Sequence, residues 1–265
     1  MLRVELGKAV RRWRTWVLAV VLGAVPALIV LALVLNPPPP GAAGDFFTLA
    51  TNNGLFAPVA ALAVTTPFLL PLTAGLLSGD AIAGEAAAGT LRYLLVRPVR
   101  REAFVLGKYA SVLALLLAAV GVILVVGLLA GSAAFGLGDV PSLSGTTLSM
   151  GAALLRLVLA ALYVVAGVAG LAAVGLFISS LTESGPGATI ATVGVAIVGQ
   201  ILGVIQSVDF LHPYLLNDHW LAFIELFRTP IAPDPLLRGL AVFAGYIVVF
   251  LGLALLVVRR KDVVS

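Results

Sequence analysis

Long apolar stretches without any charged residue dominate this chain. Six stretches lack Asp, Glu, Lys, Arg and His, and they cover residues 16–35, 46–79, 109–138, 157–182, 184–208 and 239–258. A helix rises about 1.5 Å per residue, so roughly 20 residues cross a hydrocarbon core about 30 Å thick. Transmembrane β-barrels show alternating segments of about 10 residues instead. The pattern therefore predicts membrane-spanning helices.

Two of the six stretches are longer than one crossing and must include loop residues. Asn52, Asn53 and Gly54 interrupt the second stretch, and Gly136 and Gly138 end the third. We therefore predict an all-α integral membrane protein with one domain over residues 1–265. Its six transmembrane helices are predicted at residues 16–35, 55–78, 108–135, 157–182, 187–208 and 237–258.

Composition and charge support this prediction and orient the chain. Charged residues make up 11% of the sequence, against about 25% in a typical soluble domain. Of the 16 Lys and Arg residues, all but Arg156, Arg228 and Arg238 lie in the leader, between spans two and three, or in the tail. The positive-inside rule then places both termini in the cytoplasm and the protein in the cell (plasma or inner) membrane. The net charge of +4 thus indicates orientation rather than nucleic-acid binding.

The first apolar stretch is predicted to be a span rather than a signal peptide. Its 20 uncharged residues exceed the usual h-region of about 7–15 residues. The basic leader before it carries apolar residues at three- and four-residue steps. That pattern favours an amphipathic helix in the inner interface, with Trp13 and Trp16 at headgroup depth. A disordered basic anchor is the alternative.

Two further segments have recognisable patterns. Span two contains Pro58, Pro67 and Pro71, which predict a bent helix because proline frees backbone carbonyls. That helix either lines a cavity or packs on protein. Between spans five and six, four prolines surround an apolar-rich segment that is too short to span. It suits an external interfacial or re-entrant helix.

Small residues recur at four-residue spacing within three spans, and such pairs allow helices to approach closely. We interpret them as packing positions. They are Gly75 with Gly79, Gly127 with Gly131, and Gly199 with Gly203.

The chain lacks the motifs of the common energy-converting and catalytic sites. No ionisable residue lies within the apolar stretches, so proton or sodium coupling is not expected, although backbone carbonyls could bind sodium. Gly7-Lys8 and Gly107-Lys108 lack the upstream glycine of a Walker A loop, and no HExxH or GxSxG motif occurs. We therefore expect no enzyme activity, no metal and no cofactor in this chain. Active transport would need energy delivered through a cytoplasmic surface.

The main cytoplasmic segment between spans covers residues 80–108. Residues 81–96 are helix-friendly, Arg97-Pro98 breaks the helix, and a second helix can restart near Arg100. Taken alone, this segment is either a docking surface for a partner protein or a solvated loop.

Several short motifs occur in this segment, and two more occur at the end of span four and in the tail. They are Gly84-Glu85, Gly89-Thr90-Leu91, Leu94-Leu95, Arg97-Pro98-Val99, Arg101, Gly107-Lys108, the sequence FISSLT at 177–182 and RRKDV at 259–263. With the six-span layout, this set resembles the ABC type-2 permeases, the transmembrane subunits of ABC exporters.

The resemblance implies a function for the cytoplasmic segment. It implies a coupling helix between spans two and three that docks in a groove of a separate nucleotide-binding ATPase subunit, which binds the ATP and Mg. Glu85, Gly89, Thr90 and Leu91 would lie at or beside this contact, with Arg97 and Pro98 setting the turn. Glu85 would face a basic group of the ATPase or of the leader helix, or would be an exposed helix charge.

The resemblance also implies an exporter assembled from two copies, or from this chain and a related permease. Spans two and five would line the translocation path, where the polar candidates are Thr65, Thr66, Thr73, Gln200 and Gln206. These side chains could equally hydrogen-bond between helices. Lipid, peptide, drug and polysaccharide precursors all stay open as substrates.

Other functions remain alternatives at this point. A passive channel or facilitator, or a membrane scaffold, would use the same spans without ATP. A membrane-embedded enzyme would need a His/Glu or Asp pair inside the spans, which is absent. His212 and His219 lie seven residues apart near Asp218 and Glu225, so they form either a metal or pH-sensing site or ordinary interfacial contacts.

Overall fold

The computed structural model describes residues 7, 11, 13–38, 46–87, 89, 101–138 and 140–260. Most of the predicted leader helix lies outside the described residues, as do Thr90, Leu91, Arg97 and Pro98. The described chain is helical, apart from a short hairpin that pairs Val140–Pro141 (β1) with Thr147–Leu148 (β2).

The helices follow the predicted order of apolar stretches. They are α1 Trp13–Leu35, α2 Phe46–Asn52, α3 Phe56–Thr65, α4 Leu69–Ala87, α5 Arg101–Phe135, α6 Met150–Leu181, α7 Gly185–Leu202, α8 Leu216–His219 and α9 Pro233–Arg260, with 3₁₀ helices at Gln206–Tyr214 and Ala222–Phe227. Five of them are individually long and apolar enough to cross a membrane, and α3 with α4 forms a sixth crossing if the bent pair counts as one span. The protein is thus a multi-pass membrane protein.

Contacts between helix termini define two ends of the bundle. We call the end that carries Trp13, Ala87, Arg101, Gly185 and Arg260 the proximal end, because side chains at these termini meet there. The opposite end is the distal end.

The second span is broken, as its prolines predicted. Between Thr65 and Leu69 the axes of α3 and α4 bend by 62°. Pro71 has no N–H to donate to the carbonyl of Pro67 one turn earlier. The side-chain amide of Gln200, from α7, donates to that carbonyl instead. The break is thus stabilised by a hydrogen bond from a neighbouring span.

Helix α6 lies at the centre of the bundle. In its most apolar 18-residue segment, 78% of the residues are buried, against 22% in the corresponding segment of α1 and 17% in that of α9. It packs against α4, α5, α7 and α9. The peripheral helices therefore leave most of their apolar side chains for contact with lipid or another protein.

The small-residue pairs lie where elements approach most closely, so their interpretation as packing positions is confirmed. A Cβ atom on Gly131 would overlap the carbonyl oxygen of Gly54, and one on Gly127 would lie 2.8 Å from the Cα of Pro58. At the proximal end, a Cβ on Gly79 would lie 2.6 Å from the backbone nitrogen of Thr189. Backbone contact of this kind lets dispersion act over a long stretch without a hydrophobic driving force.

The fifth span is shorter than predicted. Helix α7 ends at Leu202, so the prediction that it reaches residue 208 is wrong, and Gln206 begins a separate 3₁₀ helix. The reason is tertiary: the ring Nε2 of His212 bonds the carbonyl of Leu202 at 3.0 Å, and the Asn217 amide donates to the carbonyl of Ala196 at 2.9 Å. The chain after α7 thus folds back on the helix, and His212 satisfies a carbonyl of its last turn.

That returning segment packs into the bundle. Its buried apolar side chains are Leu216, Trp220, Phe223, Leu226 and Phe227. A Cβ on Gly167 of α6 would lie 2.9 Å from the Trp220 ring. The segment between spans five and six is therefore a set of short helical turns held against α6 and α9.

Candidate functional site

The proximal part of α4 is a straight continuation of the second span. Asp80–Ala87 belongs to the same helix as Leu69, so its first turns are not a separate helix starting at residue 81. Gly89 has a φ of 66° and its N–H donates to the carbonyl of Ala86 at 3.0 Å. Because a glycine in the left-handed region commonly ends a helix, Gly89 is a helix-ending position just after α4, and the part of the predicted helix beyond it lies outside the described residues. We call Asp80–Ala87 the proximal extension.

A serine from α6 bonds the base of the proximal extension. The Ser179 hydroxyl donates to the carbonyl of Gly79 at 2.6 Å and accepts from the N–H groups of Ile82 and Ala83 at 3.1 and 2.9 Å. All these atoms are buried. The hydroxyl thus bonds backbone groups at both ends of one helical turn, which links the extension to the central helix.

A buried ion pair links the extension to the third span. Lys108 Nζ lies 3.0 Å from Glu85 Oε1, and only 4% and 13% of the two side chains are exposed. The Lys108 ammonium also lies 5.9 Å from the centre of the Phe104 ring, within reach of a cation–π attraction. In such a site the two charges stabilise each other, because each would be costly alone.

This pair changes the interpretation of Glu85. The carboxylate contacts a lysine of its own chain, and it is neither an exposed helix charge nor directed only at another polypeptide. The contact of Glu85 and Gly89 with an ATPase stays a prediction, as does that of the four site residues outside the described ranges. Gly89 is exposed and thus accessible.

The start of α5 is linked to the end of α9. The Arg101 guanidinium donates to the carbonyls of Val258 and Arg259 at 3.2 and 2.7 Å, and Glu102 pairs with the Arg259 side chain. A cation at the last carbonyls of a helix is favourable for both hydrogen bonding and the helix dipole. The end of α9 is therefore held against α5, the helix that also carries Lys108.

The extension also contacts α7. A Cβ added to Gly185 would lie 2.6 Å from the Asp80 carboxylate, which places that carboxylate at the positive N-terminal end of α7. The Ser184 hydroxyl caps the same helix by accepting from Gly187 N–H at 3.1 Å. Residues 182–184 thus form the tight connection between α6 and α7.

The predicted path residues of span two lie inside the bundle. Thr65 and Thr73 are buried, and each hydroxyl donates at 2.8 Å to a carbonyl one turn earlier in its own helix. Thr66 is buried as well, and its hydroxyl has no hydrogen-bond partner within the described part of the chain. In this conformation none of the three borders an open channel.

The two glutamines have different surroundings. Gln200 bonds the broken part of span two, whereas Gln206 is exposed in the 3₁₀ helix beyond α7. The structure brings Gln200 to the break near Thr66, but it does not bring Gln206 there.

The two histidines at the distal end belong to separate turns. Nδ1 of His212 lies 3.7 and 3.8 Å from carboxylate oxygens of Asp209 and Asp218, and Nε2 of His219 bonds the carbonyl of Pro213 at 3.0 Å. They do not share the face of one helix. Over the described ranges, no group of three or more acidic, histidine or cysteine residues has the arrangement of a metal site.

Comparison with known proteins agrees with the arrangement of the spans. The family model described as ABC-2 family transporter protein matches residues 1–182, which is more than half of the chain. The chain belongs to this family. It is thus a multi-pass membrane protein of the ABC-2 permease type. The family is generally not catalytic.

One curated relative is similar over a short stretch. The probable ABC transporter permease protein NosY of Stutzerimonas stutzeri is 47% identical over 55 residues. The aligned stretch covers 21% of this chain and 20% of that protein.

Lys108, Ser179 and Arg101 are the residues of this site whose contacts sequence reasoning missed. Each belongs to a motif that carried the family resemblance, so their presence was noted. Their partners were not predictable, because the pairs Glu85–Lys108 and Gly79–Ser179 lie 23 and 100 residues apart.

We predict that breaking the buried ion pair destabilises the protein. Glu85→Gln or Lys108→Met alone removes one member of the pair and should cost about 3–5 kcal/mol of unfolding free energy. The double variant should cost clearly less than the sum of the two. Thermal or denaturant unfolding in detergent measures this effect.

The exposed pair Glu102–Arg259, with side chains about half exposed, provides the control. Glu102→Gln should cost about 0–1 kcal/mol. A cost for Glu85→Gln no greater than that for Glu102→Gln would contradict the structural role of the buried pair.

We predict a difference between two adjacent serines of α6. Ser179→Ala leaves the N–H groups at the base of the extension without the hydroxyl acceptor and should cost about 1–3 kcal/mol. Ser180→Ala should cost less, because the Ser180 hydroxyl bonds only the Phe177 carbonyl of its own helix. Hydrogen exchange at residues 79–87 should accelerate in the first variant alone, and equal exchange in both would oppose this assignment.

Proposed function

We propose that this chain is the permease subunit of an ATP-driven exporter and that a separate nucleotide-binding ATPase subunit drives it through residues 80–101. The observation that carries the proposal is the proximal extension: a continuous helix that leaves the second span, is attached to two other spans by short polar contacts and lies against the start of a third. A passive channel has no need of such a connected extension.

The contacts of the extension supply the mechanism. Force applied near Gly89 would reach α5 through Glu85 and Lys108, and it would reach α6 through Ser179. Asp80 would pass it to the start of α7. Because these contacts are short and mostly buried, little motion would be lost before the spans move.

In this proposal the spans open a path between α4 and α7. These helices now touch at Gly75 and Gly79, and the Gln200 amide bonds the break in span two. Outward motion of α7 would break the Gln200 bond and expose the hydroxyls of Thr65, Thr66 and Thr73 to the substrate. Gln206 would lie at the distal exit.

The assembly would contain two permeases and two ATPase subunits, with ATP and Mg held by the ATPases. The exposed apolar faces of α1, α7 and α9 support contact with lipid and with a second permease. Both termini would be cytoplasmic, which the basic proximal end supports, and the distal segment 206–227 would act as the external re-entrant part.

We predict that Leu91→Asp detaches the ATPase while the permease still inserts into the membrane, because a carboxylate in an apolar docking contact is costly to desolvate. The tagged chain would be purified from its native host, so that its own ATPase subunit is available to bind. The measurement is the amount of the Walker-containing subunit that copurifies from solubilised membranes.

The matched control is Leu181→Asp, the same exchange at an exposed position of the proximal end outside the segment. It should leave copurification unchanged. Undiminished ATPase binding by the Leu91→Asp variant would remove the segment from the docking contact. Absence of any Walker-containing subunit from the wild-type complex would favour a channel or a scaffold.

A further inference from the structure

A groove at the proximal end lies between α1, α4 and α7. It encloses about 420 Å³, which is within the range of about 300–1,000 Å³ typical of small-molecule sites. Its walls are mainly aliphatic. The apolar residues along it include Val17, Leu18, Leu76, Leu77, Pro186 and Ile190.

The groove opens into a polar mouth. Arg11, Trp13, Arg14, Asp80 and Gly84 line this mouth, and Trp13, Arg14 and Asp80 also line the apolar groove. The two cavities are therefore adjacent, with aliphatic side chains along one and charged side chains around the other.

The charges at the mouth are not balanced within the described structure. The Asp80 carboxylate already lies against the start of α7. Arg11 and Arg14 are exposed, and neither guanidinium has an ion-pair partner among the residues that the structure describes. The mouth therefore presents a net positive charge to its surroundings.

We propose that this groove binds one phospholipid with an anionic headgroup. An acyl chain would lie along the aliphatic wall, and the headgroup phosphate would accept hydrogen bonds from Arg11 and Arg14. Basic pockets between membrane helices bind anionic headgroups in this way. Trp13 is 71% exposed beside the mouth, and indole side chains are enriched at membrane–water interfaces.

Charge favours an anionic phospholipid over the two other possible occupants, a zwitterionic lipid and a helix of a second copy. A zwitterionic lipid could fill the apolar groove but has no net charge to offer the two guanidiniums. An apolar helix of a second copy would leave both arginines without a partner and partly desolvated, which is unfavourable. The inference does not depend on ATP coupling, since lipid binding needs only the permease.

The experiment uses Trp13 as the reporter. The full chain carrying Trp16→Phe would be reconstituted in phosphatidylcholine vesicles with a rising fraction of brominated phosphatidylglycerol or brominated phosphatidylcholine. Quenching of Trp13 is obtained by subtracting the signal of a variant in which Trp13 is also Phe, so that the buried Trp220 cancels.

We predict that half-maximal quenching needs a lower fraction of brominated phosphatidylglycerol than of brominated phosphatidylcholine. The required fraction should fall by about fivefold for each arginine that contacts the headgroup. Arg11→Ala with Arg14→Ala should abolish the preference. The control Arg238→Ala, an exposed arginine at the start of α9 near the distal end, should retain it.

Three results would overturn the proposal. Equal quenching by both lipids would show that the headgroup is not recognised. A preference that survives the double arginine variant would place the anionic lipid elsewhere. Protection of Trp13 from both lipids would show that protein, such as a second copy, covers the groove.

Discussion

The buried pair of Glu85 and Lys108 is the contact on which the proximal end of this protein depends. Both charges lie beside spans whose apolar cores contain none. A lone charge there would be strongly unfavourable, so each side chain requires the other. Because the two residues belong to different helices, this requirement sets the position of the extension against the third span.

The remaining proximal contacts form one connected set around that pair. Ser179 bonds the base of the extension, Asp80 lies at the start of α7, and Arg101 bonds the end of α9. Glycines allow the same helices to touch through their backbones, so the polar contacts act between closely packed elements. The distal end has a different construction, in which the chain after α7 folds back on the helix end. Motion applied proximally would therefore reach the break in span two before it reaches the distal turns.

Sequence reasoning predicted the features that depend on local composition. Uncharged length indicated the spans, the prolines indicated the bend, and paired glycines indicated close packing. It did not predict that α7 ends at Leu202, since His212 and Asn217 set that end from a later segment. Nor did it predict the partner of Glu85, because a charge pattern identifies a residue type and not which distant side chain meets it.

The most direct test of the account is an inter-span distance measured as ATP binds. The chain contains no cysteine, so Val64→Cys in α3 and Val198→Cys in α7, both exposed, can carry spin labels without further changes. In the complex with the ATPase, ATP should lengthen the distance between the labels. The change should disappear when Glu85→Gln and Lys108→Met are combined, measured in complexes in which copurification shows that the ATPase is bound. An ATP-dependent change that persists in that variant would contradict transmission through the ion pair.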